Sequence, residues 1–167
     1  EATRRTFLQA GAALASAGFS RSPTIAAEKN FQWQNGQSPW PMCLDTATLS
    51  KDVPLEKKVD VVAHSEFDAI EPWDRELAAY EETGQSLKEL GASIRGKGLF
   101  VPSVIGLWGS LGNTKEDFES RLEEYHTTLR MIRDIGAEHV QIIPDLKKRE
   151  TFTKDVGAWC YRRISEI

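Results

Sequence analysis

The sequence predicts an α/β fold of the (β/α)8 barrel type, with about four βα units present. Short apolar segments alternate with longer amphipathic ones, a pattern typical of parallel βαβ units. Residues 44–48, toward the end of the first predicted strand, contain no glycine, whereas an open doubly wound sheet usually has a glycine-rich phosphate turn after this strand. Because a complete barrel needs about 250 residues, we expect the chain to form the first half of one and to be inactive alone.

The predicted elements follow one another in a regular order. Strands are expected at residues 42–49, 68–73, 99–107 and 140–143, and helices at residues 54–65, 83–97, 113–135 and 153–167. The third helix has the strongest support, because its apolar residues recur at three- and four-residue spacing and Gly136 follows it. These elements place the barrel segment at residues 42–167, after a lead-in segment at residues 28–41.

The first 27 residues predict an export signal. Arg4 and Arg5 are followed by Phe7 and Leu8 and then by a weakly apolar stretch rich in Ala and Gly. This pattern resembles the twin-arginine signal, Ser/Thr-Arg-Arg-x-Phe-Leu-Lys, with Gln9 in place of the lysine. The resemblance implies the twin-arginine export machinery as a partner and a periplasmic or extracellular location. The alternative is an amphipathic first helix of the domain.

Charge and hydropathy exclude two kinds of partner. The chain has 21 Lys and Arg against 25 Asp and Glu, a net charge of −4, and it becomes more acidic without the predicted signal. A nucleic-acid-binding face needs clustered cations, and the chain offers only the short run at residues 147–149. No apolar run reaches 18 residues. We therefore expect neither nucleic-acid binding nor stable membrane insertion.

The cysteines and histidines do not predict a metal site. Cys43 and Cys160 match no metal-ligand spacing, and we expect buried free thiols, with a disulfide as the alternative. Barrel chemistry takes place at the C-terminal ends of strands. His64 and His126 fall on predicted helices, and His139 falls at the start of a strand. No histidine is therefore predicted as a ligand or as a catalytic base.

Acids and tryptophans at the predicted strand ends are the candidate substrate-binding residues. Glu71 ends the second strand, and the alternatives are a solvated carboxylate or one paired with Arg75. Trp73 and Trp108 each follow a strand and could stack on apolar sugar faces, or else pack at the rim against loops.

Two further acids occupy comparable positions with weaker support. Asp45 and Asp145 follow the first and fourth strands, but both also fit ordinary turn chemistry.

Two phrases carry a resemblance to a known family. They are Phe-Asp-Ala-Ile-Glu at residues 67–71 and Ile-Gly-Ala-Glu-His-Val at residues 135–140. Together they resemble the sugar-phosphate isomerase/epimerase family with the xylose-isomerase-like barrel, although Ala69 stands where that family often has glycine.

The resemblance implies an isomerase or epimerase that moves a proton beside the carbonyl of a sugar or polyol. It also implies a divalent metal, Mn²⁺, Mg²⁺ or Zn²⁺, held by residues of later strands that have no counterpart in this chain. The alternative is a non-catalytic sugar-binding or assembly module, and a half barrel could pair with another copy as a homo-oligomer.

Overall fold

Short parallel strands alternate with helices in this computed structural model, which describes residues 33–34, 38–111, 114–144 and 153–167. Within those residues the strands are β1 (Cys43–Asp45), β2 (Ala69–Glu71), β3 (Ser103–Trp108) and β4 (His139–Ile143). The predicted export signal with Arg4, Arg5, Phe7 and Leu8, most of the lead-in segment and the candidate Asp145 lie outside the described residues.

The four strands run side by side in chain order. Strand β1 pairs in parallel with β2, and β3 pairs in parallel with β4. Single parallel bridges join the chain around β2 to the chain around β3, one between Ala69 and Phe100 and one between Trp73 and Ile105. The order β1-β2-β3-β4, with helices in the connections, is that of consecutive βα units in a barrel. The predicted fold class is confirmed.

The helices are bounded by recognisable capping groups. Ser86, Thr114 and Thr153 each accept a hydrogen bond from a backbone amide at the start of a helix, and Gly136 ends another with φ +83°. The helices are α1 (Leu55–Ala63), α2 (Asp74–Glu82), α3 (Leu87–Gly96), α4 (Lys115–Ser120), α5 (Leu122–Ile135) and α6 (Lys154–Ile164).

The structure differs from the predicted elements at several boundaries, and the third strand begins at Ser103 rather than at residue 99. The first strand is shorter, because the Asp45 carboxylate caps a 3₁₀ turn, Thr46–Thr48, that ends it. Helix α2 was not predicted and occupies the segment before Gly84, whose φ of +81° separates it from α3. The predicted third helix is divided at Arg121, where φ of −108° interrupts the helical path between α4 and α5.

Alternate residues of the strands pack against the helices, and we call this side of the strands the outer face. Ile70 and Val104 have no exposed surface and belong to one apolar cluster with residues of α1, α2, α3 and α5. Leu44 and Val140 pack against the same cluster. Because successive strand side chains point to opposite sides, the opposite side, the inner face, carries these residues: Cys43, Asp45, Ala69, Glu71, Ser103, Ile105, His139, Gln141 and Ile143. Ala69 and Ile105 are buried there.

A second apolar cluster joins the end of β3 to the last helix. Leu107, Phe118, Tyr125 and Cys160 are buried there, and Trp159 meets the Phe118 ring edge-on. The two cysteines are not joined by a disulfide. Cys160 is buried as predicted, but the prediction of burial is wrong for Cys43, because its side chain lies on the inner face. Among the described residues, no helix has the length and hydropathy needed to cross a membrane.

Candidate functional site

Glu71 lies at the C-terminal end of β2 and is held by the two strands beyond it. Its Oε1 accepts hydrogen bonds from Ser103 Oγ and from Gln141 Nε2. No described residue donates to its Oε2. The site therefore contains a carboxylate with one oxygen anchored and the other available at the inner face.

The partners of Glu71 were not predicted from the sequence. Gln141 lies between Val140 and Ile142, which pack on the outer side, and Ser103 precedes the buried Val104. This period-two alternation is the signal that could have identified both residues as members of the inner face. The proposed alternative in which Arg75 pairs with Glu71 is wrong, since Arg75 lies over a tryptophan ring instead.

Asp45 connects the ends of β1 and β2. Its Oδ1 accepts hydrogen bonds from the amide of Ala47 and from Trp73 Nε1, both at 2.8 Å. The turn bond that the sequence suggests is therefore present, and the same oxygen also orients an indole ring from the neighbouring unit. A substrate-binding role for Asp45 stays a prediction.

Trp73 and Trp108 come together at the rim of the strands. Their ring centroids lie 5.4 Å apart with an interplanar angle of 27°, and Trp108 Nε1 donates to Asp74 Oδ1 at 3.1 Å. The preceding residue, Leu107, has a φ of +50° at an irregularity in the β3–β4 register. Such bulges redirect a strand's side chains, so this one contributes to the direction of Trp108. Whether the pair binds sugar stays a prediction.

A buried ion pair holds the backbone next to Trp73 in place. Lys58 is only 2% exposed, and its Nζ lies 2.7 Å from Glu76 Oε1 and 3.1 Å from the carbonyl oxygen of Thr46. The other oxygen of Glu76 accepts hydrogen bonds from the amide of Trp73, at 2.9 Å, and from Thr46 Oγ1. These bonds join the loop after β1 to the start of α2. A lysine on the apolar side of α1 was the sequence signal for this contact.

Cys43 shares the inner face with the two acids. Although Cys43 is exposed, partial desolvation of its thiol by neighbouring groups, followed by the negative charges of Glu71 and Asp45, raises the pKa of the thiol to about 11. The thiol therefore stays protonated near neutral pH, and a protonated thiol is a poor nucleophile. Covalent catalysis by Cys43 is disfavoured.

The described residues do not fit the divalent metal that the resemblance implies. His64 follows α1 and contacts a backbone carbonyl, His126 lies in α5, and His139 begins β4 beside the carbonyl of Pro102. Among the residues that the structure describes, no three His, Cys, Asp or Glu side chains are grouped so as to hold a metal. No step of the chemistry is therefore assigned to a metal bound by these residues.

Two comparisons of the sequence with known proteins give no match. No family model matches the sequence. The search of curated proteins also finds no match.

The solved structures that resemble the chain include the following three. A xylose isomerase-like TIM barrel/4-hydroxyphenylpyruvate dioxygenase fusion protein has a TM-score of 0.65 and 16% identity, over 76% of this chain and 20% of that one. A xylose isomerase domain containing protein from Salmonella typhimurium LT2 has a TM-score of 0.62 and 15% identity, over 75% of this chain and 44% of that one. The IolI protein with a binding zinc atom has a TM-score of 0.66 and 14% identity, over 76% of this chain and 47% of that one.

These likenesses show the fold, a partial xylose isomerase-like TIM barrel. The chain spans less than half the length of each of the three proteins. At these identities the match carries the architecture alone, because one barrel fold supports many different reactions.

Proposed function

We propose that this chain is the substrate-orienting part of a sugar or polyol isomerase or epimerase built on a xylose isomerase-like barrel. One observation carries the proposal: Glu71, at the C-terminal end of β2, has a carboxylate oxygen to which no described residue donates a hydrogen bond. Barrel enzymes bind their substrates at the C-terminal ends of strands. The fold of the three similar structures supports the same class of protein.

The geometry suits the recognition of hydroxyl groups. A carboxylate oxygen accepts hydrogen bonds from hydroxyls, and such charge-assisted bonds are stronger than neutral ones. Ser103 and Gln141 hold the other oxygen of Glu71 in place, so less conformational freedom is lost when a substrate binds. Isomerisation beside a carbonyl needs the neighbouring hydroxyl in a fixed position. We assign that orienting role to Glu71.

The proposed role of this chain is limited to binding and orientation. One of the similar structures contains a zinc atom, which supports a divalent metal, Mn²⁺, Mg²⁺ or Zn²⁺, in the complete enzyme. The described residues of this chain do not supply its ligands. We therefore propose that the metal and the groups that transfer the proton belong to other strands of the barrel.

The test uses the protein of the complete reading frame, with Mn²⁺, Mg²⁺ or Zn²⁺ added. It is incubated in D₂O with a panel of aldoses and ketoses, and NMR follows the uptake of deuterium at the carbon beside the carbonyl. Replacing a residue that holds a substrate hydroxyl removes one charge-assisted hydrogen bond. We therefore expect Glu71→Gln to lower kcat/KM about 10- to 100-fold while leaving the free energy of unfolding within about 1 kcal/mol of the original.

The matched control is Glu66→Gln, because Glu66 is an exposed glutamate before the N-terminal end of β2. It should leave kcat/KM unchanged. Absence of exchange and of turnover with every sugar and metal would reject the isomerase proposal. Calorimetric sugar binding without turnover and without metal dependence would instead support the non-catalytic sugar-binding module.

A further inference from the structure

A groove of about 630 Å³ lies on the outer side of the strands, between α2 and α5. We call it the acidic groove, because its charged lining consists of the acids Asp74, Glu123 and Glu124 and the single cation Arg75. Its volume lies within the range of about 300–1,000 Å³ that is usual for small-molecule sites. Its apolar wall is formed by three side chains: Ala78, Trp108 and Met131.

The charges of the acidic groove do not cancel. Glu124 is offset by Arg121, whose Nε and Nη2 donate to its two carboxylate oxygens at 2.9 and 2.7 Å. The Arg75 guanidinium lies 4.1 Å from the centroid of the Trp73 ring, and it forms no ion pair with any described carboxylate. Asp74 and Glu123 together outnumber Arg75. The acidic groove therefore keeps an excess of negative charge.

Asp74 is oriented by the protein through only one of its carboxylate oxygens. Its Oδ1 accepts hydrogen bonds from the amide of Arg75 at 2.7 Å and from Trp108 Nε1 at 3.1 Å. No group within the described part of the chain donates to its Oδ2. The acidic groove thus contains a carboxylate whose direction is fixed and whose second oxygen has no donor.

Thr128 places a buried hydroxyl without a partner beside Asp74. Its side chain lines the acidic groove and is only 6% exposed, and its hydroxyl forms no hydrogen bond with any residue that the structure describes. A Cβ at Gly106 of β3 would lie 3.2 Å from both Thr128 Cγ2 and Asp74 Cβ. The methyl group of Thr128 therefore faces the strand, which leaves the hydroxyl on the side of the groove. Buried hydroxyls normally have a hydrogen-bond partner, so this one points to a ligand.

These groups suit a primary ammonium. Such a group carries one positive charge and three N–H donors, and the acidic groove offers three acceptors: Asp74 Oδ2, the Thr128 hydroxyl and the carboxylate of Glu123. An indole ring attracts a cation, and the apolar wall can receive an alkyl chain. A metal ion fits less well, since no three His, Cys, Asp or Glu side chains of the described residues are grouped to hold one.

We propose that the acidic groove binds the primary ammonium group of a small alkylamine, through Asp74 Oδ2 and the Thr128 hydroxyl. The inference does not depend on the proposed function, because the acidic groove lies on the outer side of the strands and Glu71 lies on the inner face. It assigns a second ligand to the molecule and no step of an isomerase reaction.

The experiment is a two-dimensional proton–nitrogen NMR titration of the protein of the complete reading frame. Hexylamine, hexanol and hexanoate serve as a matched set with a positive charge, no charge and a negative charge. The reporter is the indole N–H signal of Trp108, assigned with Trp108→Phe, because this group donates to Asp74. We expect hexylamine to shift that signal saturably and to bind about tenfold or more tightly than hexanol. Hexanoate should leave the signal unchanged.

Two variants that preserve side-chain shape test the two contacts. Asp74→Asn should weaken hexylamine binding about 10- to 100-fold, since it removes the charge-assisted hydrogen bond. Thr128→Val should weaken it about 3- to 10-fold, since it removes a neutral one. Because the Thr128 hydroxyl has no partner in the protein, Thr128→Val should not lower the free energy of unfolding. A loss of affinity in this variant would then not be a loss of folding.

The matched control is Asp155→Asn, because Asp155 is an exposed acid in the first turn of another helix, α6. It should leave the affinity for hexylamine within about twofold, since exposed charges at a distance are screened by salt. Equal binding of hexylamine and hexanol, or no shift of the Trp108 signal, would overturn the inference. Unchanged affinity in Asp74→Asn and Thr128→Val, or the same loss in Asp155→Asn, would also overturn it.

Discussion

The outer and inner faces of the strands are made by alternate residues of the same short segments, yet they are covered very differently. On the outer face, Ile70 and Val104 are fully buried against the helices. On the inner face, Glu71 and Gln141 meet through a hydrogen bond, and Gln141 is exposed. The comparison teaches that apolar packing on one side allows the other side to carry polar groups. On that side Glu71 at the end of β2 meets Ser103 at the start of β3 and Gln141 in the middle of β4.

The largest expected effect tests whether packing on the outer face contributes more to the free energy of unfolding than packing on the inner face. We expect Ile70→Ala to lower the free energy of unfolding by about 4 kcal/mol, because it removes a fully buried side chain and leaves a cavity. The matched change on the inner face, Ile143→Ala, should cost only about 1 kcal/mol, since Ile143 is partly exposed. Urea unfolding of the 167-residue chain measures both. Equal losses of free energy of unfolding would show that Ile143 is packed as closely as Ile70. The proposed difference between the two faces would then be wrong.

The next effect concerns the close packing of helices behind the outer face. A Cβ at Gly91 of α3 would lie 2.3 Å from the carbonyl oxygen of Ile135 in α5, a distance at which the backbone must move. We expect Gly91→Ala to destabilise the chain by about 3 kcal/mol, as overpacking of a rigid contact does.

Gly96 provides the control for that helix contact. It lies in the same helix, and a Cβ there would have no neighbour within 4 Å. Gly96→Ala should therefore be neutral or stabilise the chain by up to about 1 kcal/mol. Thermal unfolding measures the pair, and a tolerated Gly91→Ala would contradict the close approach of α3 and α5.

The smallest effect concerns Asp68, the acid that precedes β2. Asp68, before the strand, accepts hydrogen bonds from the amides of Met42 and Gln34 at 2.7 and 3.0 Å. Partial burial acts to raise the pKa of Asp68, but these hydrogen bonds outweigh it and hold the pKa below its ordinary value. Because the folded pKa is the lower one, the contribution to stability is present above about pH 4 and is lost as the pH falls toward the folded pKa.

The measurement compares unfolding midpoints between pH 6 and pH 3. Asp68→Asn should show a shallower loss of stability on acidification than the original chain. Asp52→Asn should follow the original chain, because Asp52 is exposed and no described residue donates to its carboxylate. Identical acid profiles for all three proteins would show that the bonds of Asp68 contribute nothing measurable.

Local patterns explain which features the sequence could predict. The alternation of apolar and amphipathic segments predicted four βα units, and Gly136 and Thr153 marked helix ends correctly. Helix α2 was missed because residues 72–73 resemble a turn, although Asp74 and Glu76 in its first turn are acids that favour a helix start. The apolar run also predicted that Glu71 lies at the end of β2, because that position depends only on the order of residues.

The tertiary structure alone decided which side chains meet. The contact between Glu71 and Gln141 joins residues separated by 70 positions, and it depends on the register of three strands. The Lys58–Glu76 pair and the stack of Trp73 on Trp108 likewise require neighbouring units to close on each other. Residue order and periodicity determine the helices and strands, because the interactions that form them join residues close together in the sequence. Contacts between distant residues depend on strand register and helix packing, which no local pattern contains.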